Sequence, residues 1–192
     1  QAFRLESSVT ASAVGIDLDN VVLSLGETRS TGALNVSLGA VPRADLALVV
    51  GPMDLDEWLA RSPGTNGGTQ QATTETEEDE AAAEAPAAGA FRLPEGVEGM
   101  VDVLIDAVAY KGGVIRKVRL NAALEKGEVA LNQIAAELPG GSEISVFGFL
   151  SPQDGAPRFE GQIELASDNA RGLLDWLQID LTGVPADRLG KL

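Results

Sequence analysis

Among its 192 residues the chain has no cysteine and no histidine. Those two absences exclude thiol and Ser-His-Asp catalysis, together with the usual thiolate and imidazole ligands of zinc. They also leave no disulfide from which a redox compartment could be read. Aromatics are scarce, at 4%, although hydrophobic residues make up 44%. The apolar material is therefore mostly Ala, Val, Leu and Ile, which suits a thin sheet surface better than a thick aromatic core. No apolar run approaches the ~18 residues of a membrane-crossing helix, and no signal-like start is present. Gln1 is not an initiator, so the sequence reads as a piece of a longer chain. Basic residues number 14 against 29 acidic ones, a formal net charge of −15. A chain so acidic is repelled by phosphate backbones and anionic membrane surfaces, which argues against nucleic-acid binding.

The acidic charge is unevenly spread. Glu75, Glu77, Glu78, Asp79, Glu80 and Glu84 stand close together with no Lys or Arg between them. Residues 62–90 begin with the turn-rich Ser62-Pro63-Gly64-Thr65-Asn66-Gly67-Gly68 and continue as an acidic, Ala-rich run. Such a segment buries too little apolar surface to offset ordering, which costs about 1–2 kcal/mol per residue. It reads as a disordered linker or insertion. It separates a partial first unit, 1–61, from a second unit, 91–178, with 179–192 as the start of a further unit or a tail.

Both units are dominated by period-two alternation. Ala33-Leu34-Asn35-Val36-Ser37-Leu38 alternates cleanly, as does Arg158-Phe159-Glu160-Gly161-Gln162-Ile163-Glu164-Leu165. Turn signals at Lys111-Gly112-Gly113, Lys126-Gly127, Pro139-Gly140-Gly141 and Gln153-Asp154-Gly155 divide the runs. Strands joined so tightly must be antiparallel. Strands are expected near 3–14, 16–25, 31–38, 43–50, 99–110, 114–125, 127–138, 142–150 and 157–166. The expected fold is mainly β: antiparallel meander repeats forming a curled, groove-like sheet, each unit ending in one short amphipathic helix.

The helices suggest duplication. Asp54 can cap a first one carrying Leu55, Trp58 and Leu59, and Asp168 or Asn169 a second carrying Leu173, Trp176 and Leu177. The two Trp residues are read as equivalent, at an offset of about 118, whereas Pro42-Arg43 and Pro157-Arg158 match at about 115. A longer strand-to-helix loop in the second copy would absorb the difference. The six apolar residues are expected to anchor the helices against one end of the sheet.

Carboxylates are the remaining catalytic currency. Asp17 and Asp19 share one strand face and Asp54 and Asp56 lie two apart, while Asp102 and Asp106 lie four apart. No Asp-x-Asp-x-Asp-Gly loop is present for calcium, and no Walker or Rossmann glycine pattern occurs. No catalytic residue, metal ligand or cofactor site is assigned, and the chain is expected not to be an enzyme. Arg116, Lys117 and Arg119 make the one basic cluster, read as edge-strand decoration or as a partner to the acidic strands.

Several stretches together resemble the C-terminal region of AsmA-like proteins. Gly113-Val114-Ile115-Arg116-Lys117-Val118-Arg119-Leu120 runs into Gly127-Glu128-Val129-Ala130-Leu131 and Ala136-Glu137-Leu138-Pro139-Gly140-Gly141-Ser142. Gly155-Ala156-Pro157-Arg158-Phe159 and Leu173-Leu174-Asp175-Trp176-Leu177 follow. The likeness covers most of 99–177, with a degenerate copy over roughly 4–59. It implies a periplasmic piece of an inner-membrane-anchored envelope protein, similar to relatives of TamB and to bridge-like lipid carriers. The implied role is outer-membrane biogenesis, with phospholipid moving along a hydrophobic groove. An acyl-chain ligand and further repeats of the same chain are the implied partners.

From the alternation itself, the groove-facing candidates are Leu34, Val36, Leu38, Leu46, Leu48, Val118, Leu120, Ile144, Val146, Phe159, Ile163 and Leu165. Two short helices cannot roof nine strands, so a continuous apolar face must close on itself, pair with a copy or hold something greasy. The alternative is a structural or adhesive β-sandwich module that binds a protein partner and buries the same residues in a closed core.

Overall fold

The structure is a computed structural model that describes residues 3–61 and 91–179. The strands of the first unit are β1 (Phe3–Ser12), β2 (Gly15–Leu25), β3 (Thr28–Leu38), β4 (Pro42–Val50) and the short β5 (Met53–Asp54), followed by helix α1 (Leu55–Arg61). Those of the second are β6 (Glu98–Tyr110), β7 (Gly113–Glu125), β8 (Glu128–Leu138), β9 (Ser142–Gln153) and β10 (Ala156–Ser167), followed by α2 (Ala170–Trp176). All nine expected strands are present, within a few residues of their expected ends. Residues 62–90 and 180–192, read as a linker and as the approach to another unit, lie outside the described residues.

The long strands form one sheet in the order β1-β2-β3-β4-β6-β7-β8-β9-β10, with β5 pairing β6. Its two outer strands do not meet, so the sheet is open. Every neighbouring long pair is antiparallel except β4 and β6, which run parallel from Arg43↔Glu98 to Val50↔Ile105. A parallel neighbour needs a crossover of a dozen residues or more, and residues 51–97 supply it. This parallel seam joins the two units into a continuous sheet.

Three connections in the second unit are two-residue hairpins with both central residues at positive φ: Lys111-Gly112, Lys126-Gly127 and Asp154-Gly155. That is the type I′ geometry, whose twist matches that of the flanking strands. Register shifts occur between Glu6 and Ser8, Leu18 and Val21, Arg116 and Arg119, and Leu131 and Ile134. Extra residues at such bulges increase the local right-handed twist of the sheet.

Among the described residues the fully buried apolar side chains are Val108, Ala170 and Leu173, so no second layer covers the sheet. The closed two-layer core of the sandwich alternative is not found. Two of those three residues belong to α2, which seals one end of the second unit. Asn169 caps α2 by accepting from the Gly172 N–H at 2.9 Å. Beside it, buried Ser142 and Ser167 share a hydrogen bond of 2.7 Å between their hydroxyls. Trp176 Nε1–H donates to the Tyr110 carbonyl at 3.0 Å, and the two rings meet edge to face at 6.4 Å. Gly113 makes room for this contact: a Cβ there would stand 2.4 Å from Trp176 Nε1. The sequence marks Gly113 only as part of a turn, whereas its lack of a side chain is what lets the indole dock.

The helices correct the expected repeat alignment. Asp54 caps α1 through the Glu57 N–H at 2.9 Å, and Asn169 caps α2 in the same way, an offset of 115. The helices themselves, Leu55–Arg61 and Ala170–Trp176, keep that offset. Trp58 therefore matches Leu173, and Trp176 falls one turn later, so the two tryptophans are not equivalent. The strand-to-helix connection is shorter in the second copy, because β10 runs on to Ser167 where the first copy breaks at Gly51-Pro52. The anchor roles divide accordingly. Leu173 is 3% exposed, and Leu55, Leu59 and Trp176 are half-buried, whereas Trp58 is 49% exposed and Leu177, the C-cap of α2, 46%.

Candidate functional site: an open apolar face

Side chains alternate between the two faces along each strand, and register partners share a face. Following partners across the sheet therefore maps each face in full. One row runs Val9, Leu18, Leu34, Leu46, Val101, Ala122, Leu131, Gly148, Gly161, crossing all nine long strands. The next runs Ala11, Ile16, Val36, Ala44, Gly99, Leu124, Val129, Leu150, Phe159. On the other side of the first lies Val21, Gly32, Leu48, Val103, Leu120, Ile134, Val146, Ile163. A fourth, in two pieces, joins Leu5, Leu23, Ser30, Val50, Ile105 and Val118, and then Ala136, Ile144 and Leu165. No charged side chain stands in any of these rows.

All twelve groove candidates fall on this one face. Eleven lie in the four rows, and Leu38 lies beside the second, paired with Pro42. The list made from sequence is nonetheless incomplete. It omits Val9, Leu18, Val101, Val103, Leu131 and Ile134, which the same alternation marks. With strands ~4.8 Å apart and rows about 6.7 Å apart, the four rows cover about 38 by 20 Å, near 800 Å². The largest apolar patch of an ordinary monomer is about 300–600 Å². Residues at its margins are open to solvent, Leu5 at 56% and Ile163 at 63%.

Helix α1 walls one end of this face. Between it and the strands lies a cleft of about 880 Å³, lined by Leu23, Val50, Met53, Trp58, Ala107 and Val114 among others. The wall is fixed by Asp54 at its cap and by Asp56, whose carboxylate accepts the Lys111 N–H at 2.7 Å. The exposed Trp58 thus contributes a large amphipathic ring to a mixed cleft whose lining also includes Glu27, Asp54 and Glu57.

The opposite face is polar, and the ion pairs lie there. Lys117 Nζ meets Glu137, and Arg4 pairs Glu6 and Arg158 pairs Glu160 along single strands. Arg43 Nε donates to Asp45 at 2.8 Å and its Nη1 lies 3.8 Å from Glu98 across the parallel seam. The hydrogen bond and charge of Asp45, aided by Glu98 and Glu125, hold the Arg43 guanidinium above its ordinary value. Of the carboxylates weighed from sequence, Asp17, Asp19 and Asp102 line one shallow cleft together with Asp45, and several have partners of their own. Asn35 donates to Asp17, and Asn121 Nδ2 donates to Asp102 at 3.3 Å, while Asp54 and Asp56 fasten α1. Among the described residues no three His, Cys, Asp or Glu side chains come together as a metal site. Phe147 and Phe149 lie on this polar face, exposed at 42% and 52%.

Among the described residues no helix is long and apolar enough to cross a membrane. Comparison with protein-family models, with curated proteins and with solved structures finds no match for this chain.

Proposed function

We propose that the chain is a non-catalytic, periplasmic piece of an AsmA-like envelope-biogenesis protein, anchored in the inner membrane in its full length, whose apolar sheet face carries phospholipid acyl chains toward the outer membrane. The supporting observation is the set of uncharged apolar rows, three of which continue across the parallel seam from the first unit through the second. The resemblance of residues 99–177 to AsmA-like proteins points the same way. An acyl chain lying along a row exchanges water for Val, Leu and Ile at about 0.8 kcal/mol per buried CH₂. Ten methylenes contribute on the order of 8 kcal/mol, against an immobilisation cost of several kcal/mol. The lateral continuity of the rows suits movement along the face, since no charged side chain interrupts the path. A headgroup would stay in water at the margin, near the polar ends of the strands.

The chain purified from bacterial membranes in mild detergent, extracted and analysed by mass spectrometry, is expected to carry phospholipid in near-stoichiometric amount. Recovery of lipid at the level of an unrelated acidic β protein treated identically would overturn the reading. A face-to-face dimer of lipid-free chains, seen by light scattering, would assign the face to protein contact instead.

A further inference from the structure

We infer that the polar face of the second unit carries a binding site for a neutral oligosaccharide, built around Asp102, Arg119, Asn121, Asn132, Gln133 and Phe147. Register sets most of it on one row, with Asp102 opposite Asn121, Asn121 opposite Gln133, and Phe147 opposite Gln162. At its centre β8 carries an extra residue. Asn132 and Gln133 stand together between the pairs Leu131↔Gly148 and Ile134↔Val146, so two polar side chains oppose the single Phe147. A bulge of this kind re-aims side chains and is common beside functional sites.

The six side chains line a cleft of about 360 Å³, within the size range of small-molecule sites. Their chemistry answers a sugar. Asn121 Nδ2 donates to Asp102 Oδ2 at 3.3 Å, and Asn132 Nδ2 donates to Asn121 Oδ1 at 2.8 Å. This ladder orients the amides while leaving each a further N–H or lone pair for a ligand. Among the described residues, Arg119 and Gln133 make no side-chain hydrogen bond. A sugar hydroxyl both donates and accepts, which amides and a carboxylate satisfy together. The exposed Phe147 ring offers an apolar plate for the C–H face of a pyranose. A phosphate or an acidic polysaccharide would meet one cation beside an acid, on a chain of net charge −15. A metal ion would meet no group of three ligands among the described residues.

Folding alone does not account for the cluster. Asn and Asp are poor strand formers, and a phenylalanine on the wet side of a sheet gains little from burial. Local rules broken together in one place, with a bulge among them, mark a site kept for contact.

The test titrates the full, isotope-labelled chain with chitohexaose and with cellohexaose, followed by NMR. Millimolar sugar should shift the side-chain amide signals of Asn121, Asn132 and Gln133 and the backbone of residues 145–147. Phe147→Ala should weaken binding about two- to tenfold, the range of an aromatic contact, and Asn132→Ala by about as much through a lost hydrogen bond. Asn35→Ala removes a similar amide–carboxylate bond in the first unit and should leave the affinity unchanged. Unchanged spectra with both sugars, shifts centred elsewhere, an equal loss in Asn35→Ala, or a cleft that answers hexaglycine and neither sugar would each overturn the inference.

Discussion

Leu120→Ala separates an open sheet from a covered one. Leu120 sits in the middle of the third apolar row, between Val103 and Ile134 on the neighbouring strands. In a closed core, truncating a leucine removes its transfer energy and leaves a cavity, at a cost of 2–5 kcal/mol. Here Leu120 is half-buried and no second layer of the described residues covers the sheet, so water or a neighbouring side chain fills the space and no cavity forms. What is lost is two cross-strand contacts, each worth about 0.2–1 kcal/mol. The expected cost is therefore about 1 kcal/mol. In urea, with a slope near 2 kcal/mol/M for a chain of this size, the midpoint should fall by about 0.5 M with the slope unchanged. A loss above about 3 kcal/mol in the lipid-free, monomeric protein would show that Leu120 is covered and would refute the open-face reasoning.

Further expectations concern the supports of the face. Asp54→Ala removes the α1 cap and should cost about 0.5–2 kcal/mol, seen as faster amide exchange in residues 55–61. Trp176→Phe keeps most of the packing but loses the bond to the Tyr110 carbonyl, and should lower stability by roughly 0.5–1.5 kcal/mol in a urea melt. Gly161→Val places a branched side chain where a Cβ already stands 2.2 Å from the Phe147 carbonyl oxygen, so β9 and β10 must separate. That variant should lose the near-native exchange protection of both strands, while Gly96→Ala, which meets open space, should leave the melt unchanged.

The strands were legible in the sequence because the local signal for them is strong. Strict alternation in runs such as 33–38 and 158–165, cut by Lys-Gly and Asp-Gly pairs, specifies strand, face and hairpin together. The face of each candidate residue followed, since period two leaves only two choices. The parallel seam was not legible. Which strand β4 takes as its second neighbour depends on partners 50 or more residues away, and no local pattern records that choice. The helix alignment failed for a different reason. Leu-x-x-Trp-Leu occurs twice as a string, but the caps Asp54 and Asn169, not the tryptophans, set where each helix begins. From sequence Gly113 reads only as a turn residue, because the indole that demands its small size comes from α2, far along the chain.

The most direct test of the central claim is to map where acyl chains touch. The chain is incubated with phospholipid bearing a diazirine in the acyl tail, irradiated and digested, and the labelled residues are identified by mass spectrometry. Labels are expected on face residues such as Leu48, Val103, Leu120 and Val146, with few on Asn35, Asp102 and Glu160 of the polar face. Equal labelling of both faces, or labelling no greater than that of a control protein, would contradict the account.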